Sequence, residues 1–209
     1  MKEKSENARA DLWRDQSNRY YESLIERRGE GWQAFWGSPE SQSVRFDVFL
    51  SHLSLGGSSL LDVGCGFGDF WAYAREKNVH FSRYLGIDFN DRVLEAARRR
   101  HQGAEFALMN ILKEDPPFRP DYIVASGIMA VNLDRYHEYM LHIFKRFRDL
   151  CGAAFALNFL SACSDYNDSV SRYNEPWVVL KHFQESIDWR CTLVHGYRSH
   201  DFTLIHFKG

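Results

Sequence analysis

Residues 60–70 read LLDVGCGFGDF, in which a short apolar run leads directly into three alternating glycines. The apolar run has the composition of a buried strand, and a helix is expected to begin at Asp69. Gly64, Gly66 and Gly68 allow a sharp turn and let a ligand approach the main chain, where a β-carbon would clash. This stretch therefore predicts a nucleotide-like ligand at the carboxyl end of the first strand of a parallel sheet.

Short apolar runs alternate with helix-like stretches from Ser58 onward. The expected strands are SLLDV, RYLGI, AEFAL, DYIVAS, AAFALNFL, WRCTLVHGY and DFTLIHF. The expected helices cover residues 69–77, 90–100, 133–148 and 175–183. Alternation of this kind predicts an α/β fold with a doubly wound, mostly parallel sheet of seven strands. The last two runs are separated only by Arg198, Ser199 and His200, which predicts an antiparallel C-terminal hairpin.

Extra helices are expected before the sheet, over residues 5–28 and 39–53, with Pro39 opening the second one. A chain of 209 residues predicts a single domain, with residues 1–55 as a helical lid and residues 56–209 as the core. Aromatic side chains cluster in the N-terminal segment. Composition leaves open whether they form core, a lid over a ligand or a dimer surface.

Charge is nearly balanced, with 26 lysines and arginines against 28 aspartates and glutamates. This balance argues against a partner held through its phosphates, so no nucleic-acid partner is expected. The first 20 residues are too polar for a signal peptide, and no run approaches the roughly 18 apolar residues of a membrane span. We therefore expect a cytoplasmic protein without a membrane partner. The four cysteines form no CxxC pair and the nine histidines show no metal spacing, so no metal is expected.

Two kinds of cofactor fit a glycine loop followed by an acidic residue. Asp88 follows Gly68 by 20 residues, which suits a carboxylate that binds ribose hydroxyls in either a dinucleotide or a sulfonium nucleoside. The glycines here follow the pattern GxGxG, and Asp69 occupies the position of the third glycine of a dinucleotide motif. Its carboxylate would repel a pyrophosphate. Asp62 adds a second negative charge, so the loop favours a cationic ligand without phosphate.

Residues 61–68, LDVGCGFG, resemble the first motif of class I S-adenosylmethionine-dependent methyltransferases. The resemblance extends from about Ser58 to Phe207 and includes YLGID as the ribose-binding strand and DYIVASG as the fourth strand. It implies a Rossmann-like fold, S-adenosylmethionine as cofactor and S-adenosylhomocysteine as product.

The same resemblance assigns residues to parts of the cofactor. Gly64, Gly66 and Gly68 would line its methionine and ribose portions, and Asp88 would hold the ribose hydroxyls. Phe89 or Ile111 would sandwich the adenine.

Asn110 stands where many relatives carry an aspartate that accepts from the adenine amino group, and its amide oxygen can accept the same bond. Tyr21, beside Tyr20, and Arg45 are candidates for the methionine carboxylate, because N-terminal helices commonly close over the donor in the proteins that this one resembles. Arg45 could equally form a surface ion pair with Asp47 or Glu40. Ser126, at the end of the fourth strand, is also expected near the cofactor.

Residues for the acceptor are expected at the ends of the fourth and fifth strands and before the hairpin. The catalytic candidates are His200, His137 and Tyr173, and the substrate-binding candidates are Asn158, Arg172 and Lys181. His200 precedes Asp201 and could act as a general base near neutral pH, or be a surface histidine in a turn. His137 could equally lie on a helix surface, Asn158 could bond to neighbouring backbone, and the two cations could be solvated surface charges.

The sequence as a whole predicts methyl transfer to oxygen or nitrogen of a small metabolite, with an anionic acceptor among the candidates. One alternative is an RNA or protein methyltransferase, which would need a basic face or a recognition domain. Another is a non-catalytic partner subunit that keeps only the fold. A monomer and a homodimer are both compatible with the sequence.

Overall fold

The fold is described from a computed structural model, which covers residues 2–165 and 168–209, with side chains from residue 6 onward. The helices are α1 (Lys2–Arg28), α2 (Trp32–Phe35), α3 (Pro39–His52), α4 (Asp69–Glu76), α5 (Asp91–Arg100), α6 (Tyr136–Leu150) and α7 (Pro176–Ser186). The strands are β1 (Ser59–Val63), β2 (Arg83–Asp88), β3 (Glu105–Leu108), β4 (Tyr122–Ala125), β5 (Ala154–Ser161), β6 (Tyr173–Asn174), β7 (Cys191–Arg198) and β8 (Asp201–Phe207).

The strands form one sheet in the order β3-β2-β1-β4-β5-β8-β7. The first five of these are parallel, whereas β8 runs antiparallel to both β5 and β7. This confirms the predicted Rossmann-like α/β fold with its C-terminal hairpin and N-terminal helices. The strand number is corrected from seven to eight, because β6 pairs with the end of β5. A strand of two residues is too short to show alternation in the sequence.

Local sequence signals explain where α3 and α5 begin. Pro39 occupies the first turn of α3, and the Ser38 hydroxyl accepts a hydrogen bond from Ser41 N. Asn90 caps α5 in the same way, through Val93 N. The short helix α2 was not predicted, because its four residues are fewer than a periodic pattern needs. No helix among the described residues is long and apolar enough to cross a membrane.

Apolar side chains pack on both faces of the sheet, as alternation along each strand requires. Leu61 points to the face covered by α1, α6 and α7, whereas Leu60 points to the face covered by α3 and α4. Trp13 of α1 is only 2% exposed, and its indole nitrogen donates to Asp134 O at 2.8 Å. At least one N-terminal aromatic side chain is therefore core, and α1 is anchored over the carboxyl edge of the sheet.

We predict that Gly68→Ala destabilises the protein more than Gly103→Ala. Gly68 has a φ of +80°, and an added β-carbon would lie 2.7 Å from His101 Cδ2 and 2.8 Å from Phe106 Cζ. Gly103 has a φ of +98° with nothing within 4 Å, so it isolates the backbone cost. We expect a loss of about 1 kcal/mol at Gly103 and about 1–3 kcal/mol more at Gly68, measured by urea denaturation. Equal losses would contradict the close packing behind the loop.

Candidate active site

A cavity of about 570 Å³ lies at the carboxyl ends of β1, β2 and β4, beneath α1 and α3. This volume is within the range of about 300–1,000 Å³ that is usual for small-molecule sites. Ten of the residues predicted from the sequence line it: Tyr21, Arg45, Asp62, Gly64, Gly66, Asp88, Phe89, Ser126, Tyr173 and His200. The cavity therefore lies in the crevice where an open α/β sheet binds ligands.

The glycine loop forms one wall of this cavity. Gly64, Gly66 and Gly68 have φ values of +70°, +52° and +80°. The amides of Gly64 and Cys65 both donate to Ile87 O, at 2.8 and 3.0 Å, which ties the loop to the end of β2. A β-carbon at Gly66 would lie 3.4 Å from the Phe35 ring, which is close to an ordinary contact, so it is the left-handed φ that favours glycine there. Gly68 does not line the cavity, since it packs against His101 and Phe106.

Asp88 lies at the end of β2 with both carboxylate oxygens turned to backbone amides. Oδ2 accepts from Gly66 N at 3.1 Å and Oδ1 accepts from Asn90 N at 3.0 Å. Burial raises the pKa of this carboxyl to about 6, against the effect of these hydrogen bonds. Each oxygen retains a free lone pair, so the carboxylate is fixed and can still accept from two hydroxyl groups of a ligand.

Asp62, in β1 just before the loop, is a buried carboxylic acid. Its side chain is 3% exposed and accepts a hydrogen bond from the Tyr84 hydroxyl at 2.8 Å. Burial raises its pKa to about 7, and the nearby charges of Asp88 and Asp69 add to the effect. Asp69, at the start of α4, accepts from Gln42 Nε2 at 2.8 Å. Three carboxylates thus surround the loop, an arrangement that favours a cationic ligand and disfavours a pyrophosphate.

A smaller cavity of about 40 Å³ adjoins the first beyond Asp88 and Phe89. Its walls include Asn110 and Ile111, and Ala10 and Trp13 of α1 close it. The Asn110 amide oxygen already accepts from Leu112 N at 3.1 Å, and its nitrogen donates to Ala10 O at 3.4 Å. Phe89, Asn110 and Ile111, which are expected around an adenine, therefore line the same small cavity.

Arg45 is not a surface residue, which corrects the alternative of a surface ion pair with Asp47 or Glu40. Its side chain is 4% exposed, and Nη2 donates to Asp201 Oδ1 at 2.5 Å. The guanidinium lies over the Trp36 ring at 4.3 Å from its centroid. Nη1 is buried and has no hydrogen-bond partner among the described residues. Arg45 thus joins α3 to the start of β8 and keeps one donor for a ligand.

The far wall of the cavity is built on the loops after β4 and β5. Asn158 is buried, and its amide accepts from Gly127 N at 2.9 Å and donates to Ser126 Oγ at 3.0 Å. Its partners are therefore in the neighbouring loop, and it positions Ser126 without lining the cavity itself. The Tyr21 hydroxyl donates to Gly127 O at 3.0 Å. The Tyr173 hydroxyl bonds to Asp168 Oδ2 at 3.4 Å.

Three further acceptor-side candidates, besides Asn158, lie outside the cavity. His137 stacks on His182 at a centroid distance of 5.6 Å, and burial lowers its pKa. The Lys181 side chain is 73% exposed and pairs with Glu185 at 3.8 Å. The Arg172 guanidinium lies 4.6 Å from the centroid of the Tyr136 ring. His137 and Arg172 are thus held by contacts with α7 and α6, whereas Lys181 is exposed and pairs within α7 itself.

Other cavity residues were not singled out from the sequence. They include Ser17, Phe35, Trp36, Gln42 and Arg198. Phe35 and Trp36 belong to the N-terminal aromatic cluster, and Arg198 lies two residues before His200. These features are weak sequence signals that the three residues belong to the site. Among the described residues, no group of three or more histidine, cysteine, aspartate or glutamate side chains is arranged to hold a metal ion.

Comparisons with known proteins agree with this fold. Residues 61–153 match the family model described as a methyltransferase domain. No curated protein matches the sequence. Magnesium protoporphyrin IX methyltransferase from Synechocystis, solved with bound S-adenosylmethionine, is similar over 96% of this chain and 97% of its own chain. Its TM-score is 0.67 at 14% identity.

A second similar structure is that of a putative S-adenosylmethionine-dependent methyltransferase from Listeria monocytogenes. The match covers 80% of this chain and 99% of the other, with a TM-score of 0.62 and 14% identity. The Synechocystis enzyme is also matched in its complex with S-adenosylhomocysteine. At these identities the structural similarity establishes the fold.

We predict that Asp62→Asn flattens the pH dependence of stability. The folded-state pKa of Asp62 is raised from 3.8 to about 7, so between these pH values the folded protein binds more protons than the unfolded chain does. The free energy of unfolding therefore falls as pH rises from about 4 to about 7. Asparagine does not ionise and can still accept from Tyr84. Denaturant titrations at several pH values should show a fall that is smaller by about 2–4 kcal/mol.

Asp121→Asn is the matched control. Hydrogen bonds from the Ser59 backbone and side chain lower the Asp121 pKa, so this variant should instead lose stability above about pH 4. The same pH dependence in wild type and Asp62→Asn would show that Asp62 is not the buried acid described here.

Proposed function

We propose that this chain, in which residues 61–153 match a methyltransferase domain, transfers a methyl group from S-adenosylmethionine to oxygen or nitrogen of a small-molecule acceptor. The family model over residues 61–153 and the fold agree with the resemblance carried by residues 61–68, and they support the prediction of an enzyme. The observation that carries the proposal is the carboxylate of Asp88, fixed beside the left-handed glycine loop.

The residues of the larger cavity fit the ribose and methionine portions of this cofactor, whereas the cavity of about 40 Å³ beside Phe89 and Ile111 must widen to admit the adenine. Asp88 would accept from the ribose hydroxyls, Gly64 and Gly66 would lie against the ribose and methionine portions, and Phe89 with Ile111 would hold the adenine. When bound, S-adenosylmethionine supplies a methyl group that its sulfonium has already activated. The carboxylates of Asp62 and Asp69 provide a negative potential that suits a positively charged sulfur and suits the neutral product less.

Several features support a small acceptor. The cavity continues from the glycine loop to Trp36, Tyr173 and His200, and it is enclosed by α1 and α3. A protein of similar fold is named for magnesium protoporphyrin IX, a small-molecule acceptor. Four arginines, Arg27, Arg28, Arg45 and Arg198, line the cavity, and they keep an anionic acceptor among the candidates.

We also propose that residues 1–55 act as a lid within one domain.

Isothermal titration with S-adenosylmethionine, S-adenosylhomocysteine and NAD tests the choice of cofactor. We expect saturable binding of both sulfur nucleotides and none of NAD, because a pyrophosphate would meet Asp69 at the start of α4. Saturable NAD binding with no response to the sulfur nucleotides would overturn the proposal.

We predict that Asp88→Asn weakens S-adenosylhomocysteine binding by about 10- to 100-fold, because the amide has a single acceptor oxygen and its nitrogen cannot accept from Gly66 N or Asn90 N. Isothermal titration measures the change. Glu105→Gln, an exposed carboxylate on β3, is the control and should bind as wild type does. An unchanged affinity in Asp88→Asn would mean that the ribose lies elsewhere.

A further inference from the structure

Three ionisable side chains meet where the C-terminal hairpin turns. Arg45 reaches from α3 to Asp201 at the start of β8, and His200 precedes Asp201 in the turn. One oxygen of the Asp201 carboxylate accepts from Arg45, and the other lies 3.5 Å from His200 Nε2. The Arg45 and Asp201 side chains are 4% and 1% exposed, whereas that of His200 is 32% exposed and lines the cavity.

Because Arg45 and Asp201 are buried, the position of the Asp201 carboxylate beside His200 is fixed. Asp201 Oδ2 has no hydrogen-bond partner among the described residues, so His200 Nε2 is the donor placed to satisfy it. Separations of this kind commonly shorten when a ligand binds. If Nε2 carries the proton, Nδ1 of the neutral ring is left with a free lone pair, and no described residue bonds to it. A carboxylate that fixes one ring nitrogen in this way leaves the other free to accept a proton.

We propose that His200 is the general base for methyl transfer, that Asp201 and Arg45 are its positioning residues, and that the acceptor is therefore a hydroxyl compound. This inference rests on the proposed function. As the acceptor oxygen forms its bond to the methyl carbon, the carbon–sulfur bond of the donor breaks and its electron pair stays on sulfur. The hydroxyl proton passes to His200 Nδ1.

The charges around His200 favour a hydroxyl over other acceptors. A carboxylate acceptor is already ionised and needs no base, so it would leave this arrangement without a role. An ammonium group would be repelled by Arg198 and by the free Nη1 of Arg45, both of which line the cavity. An oxygen that gains negative charge as it loses its proton is stabilised by the same two cations. Tyr197, which bonds to Thr203, is a further titratable group beside the Arg45–Asp201 pair.

The first test is a spectroscopic measurement that needs no acceptor. Long-range proton–nitrogen spectra of nitrogen-15 labelled protein, saturated with S-adenosylhomocysteine, report which nitrogen of His200 carries the proton; His200→Gln identifies its signals. We expect a single Nε2–H tautomer in wild type and a mixture in Asp201→Asn. His195→Gln, on β7, is the matched control and should leave the His200 signals unchanged. An Nδ1–H tautomer in wild type overturns the inference even if Asp201→Asn fails to fold.

The second test concerns the acceptor class. Wild-type protein is incubated with methyl-labelled S-adenosylmethionine and the small-molecule fraction of a cell extract, and the labelled products are examined by carbon NMR. We expect a methyl ether that resists mild alkali, with a rate at least about 100-fold lower in His200→Gln at unchanged S-adenosylhomocysteine affinity. A methyl ester, an N-methyl product or an unaffected rate overturns the inference. Loss of nucleotide binding in wild type would instead contradict the proposed function.

Discussion

The left-handed backbone of the glycine loop is the constraint on which the rest of the site depends. Positive φ values at Gly64, Gly66 and Gly68 fold the chain back on itself after β1, and the Gly64 amide then reaches Ile87 O at the end of β2. The same turn directs Gly66 N to the Asp88 carboxylate. A side chain at these positions would strain the backbone and enter either the cavity or the packing behind it.

The site accumulates negative charge at a cost to the protein. Asp62 is buried, Asp88 is half-buried nearby, and the pKa values of both are raised, so their ionised forms are disfavoured in the protein alone. A cationic ligand relieves part of this cost, because it supplies the charge that the surrounding side chains lack. The residues that the proposed cofactor would contact thus lower the stability of the protein. Such a trade-off between stability and activity is common at functional sites.

The sequence predicted the parts of the molecule that follow from local pattern. Strands β1 to β5, the hairpin, and the approach of Asp88 to the glycine loop follow from periodicity and from the rule that ligands bind at the carboxyl ends of parallel strands. The Arg45–Asp201 pair joins residues 156 positions apart, and no local pattern indicates it. The positions of His137 and Lys181 depend on how α6 and α7 rotate against their neighbours, which short-range periodicity fixes only coarsely.

The crystal structure of the protein with S-adenosylhomocysteine would test the central claim most directly. We expect the two ribose hydroxyls within hydrogen-bond distance of the Asp88 carboxylate, the adenine between Phe89 and Ile111, and the sulfur above the glycine loop facing His200. A nucleotide bound away from Asp88, or with its adenine on the side of Trp36, would contradict it.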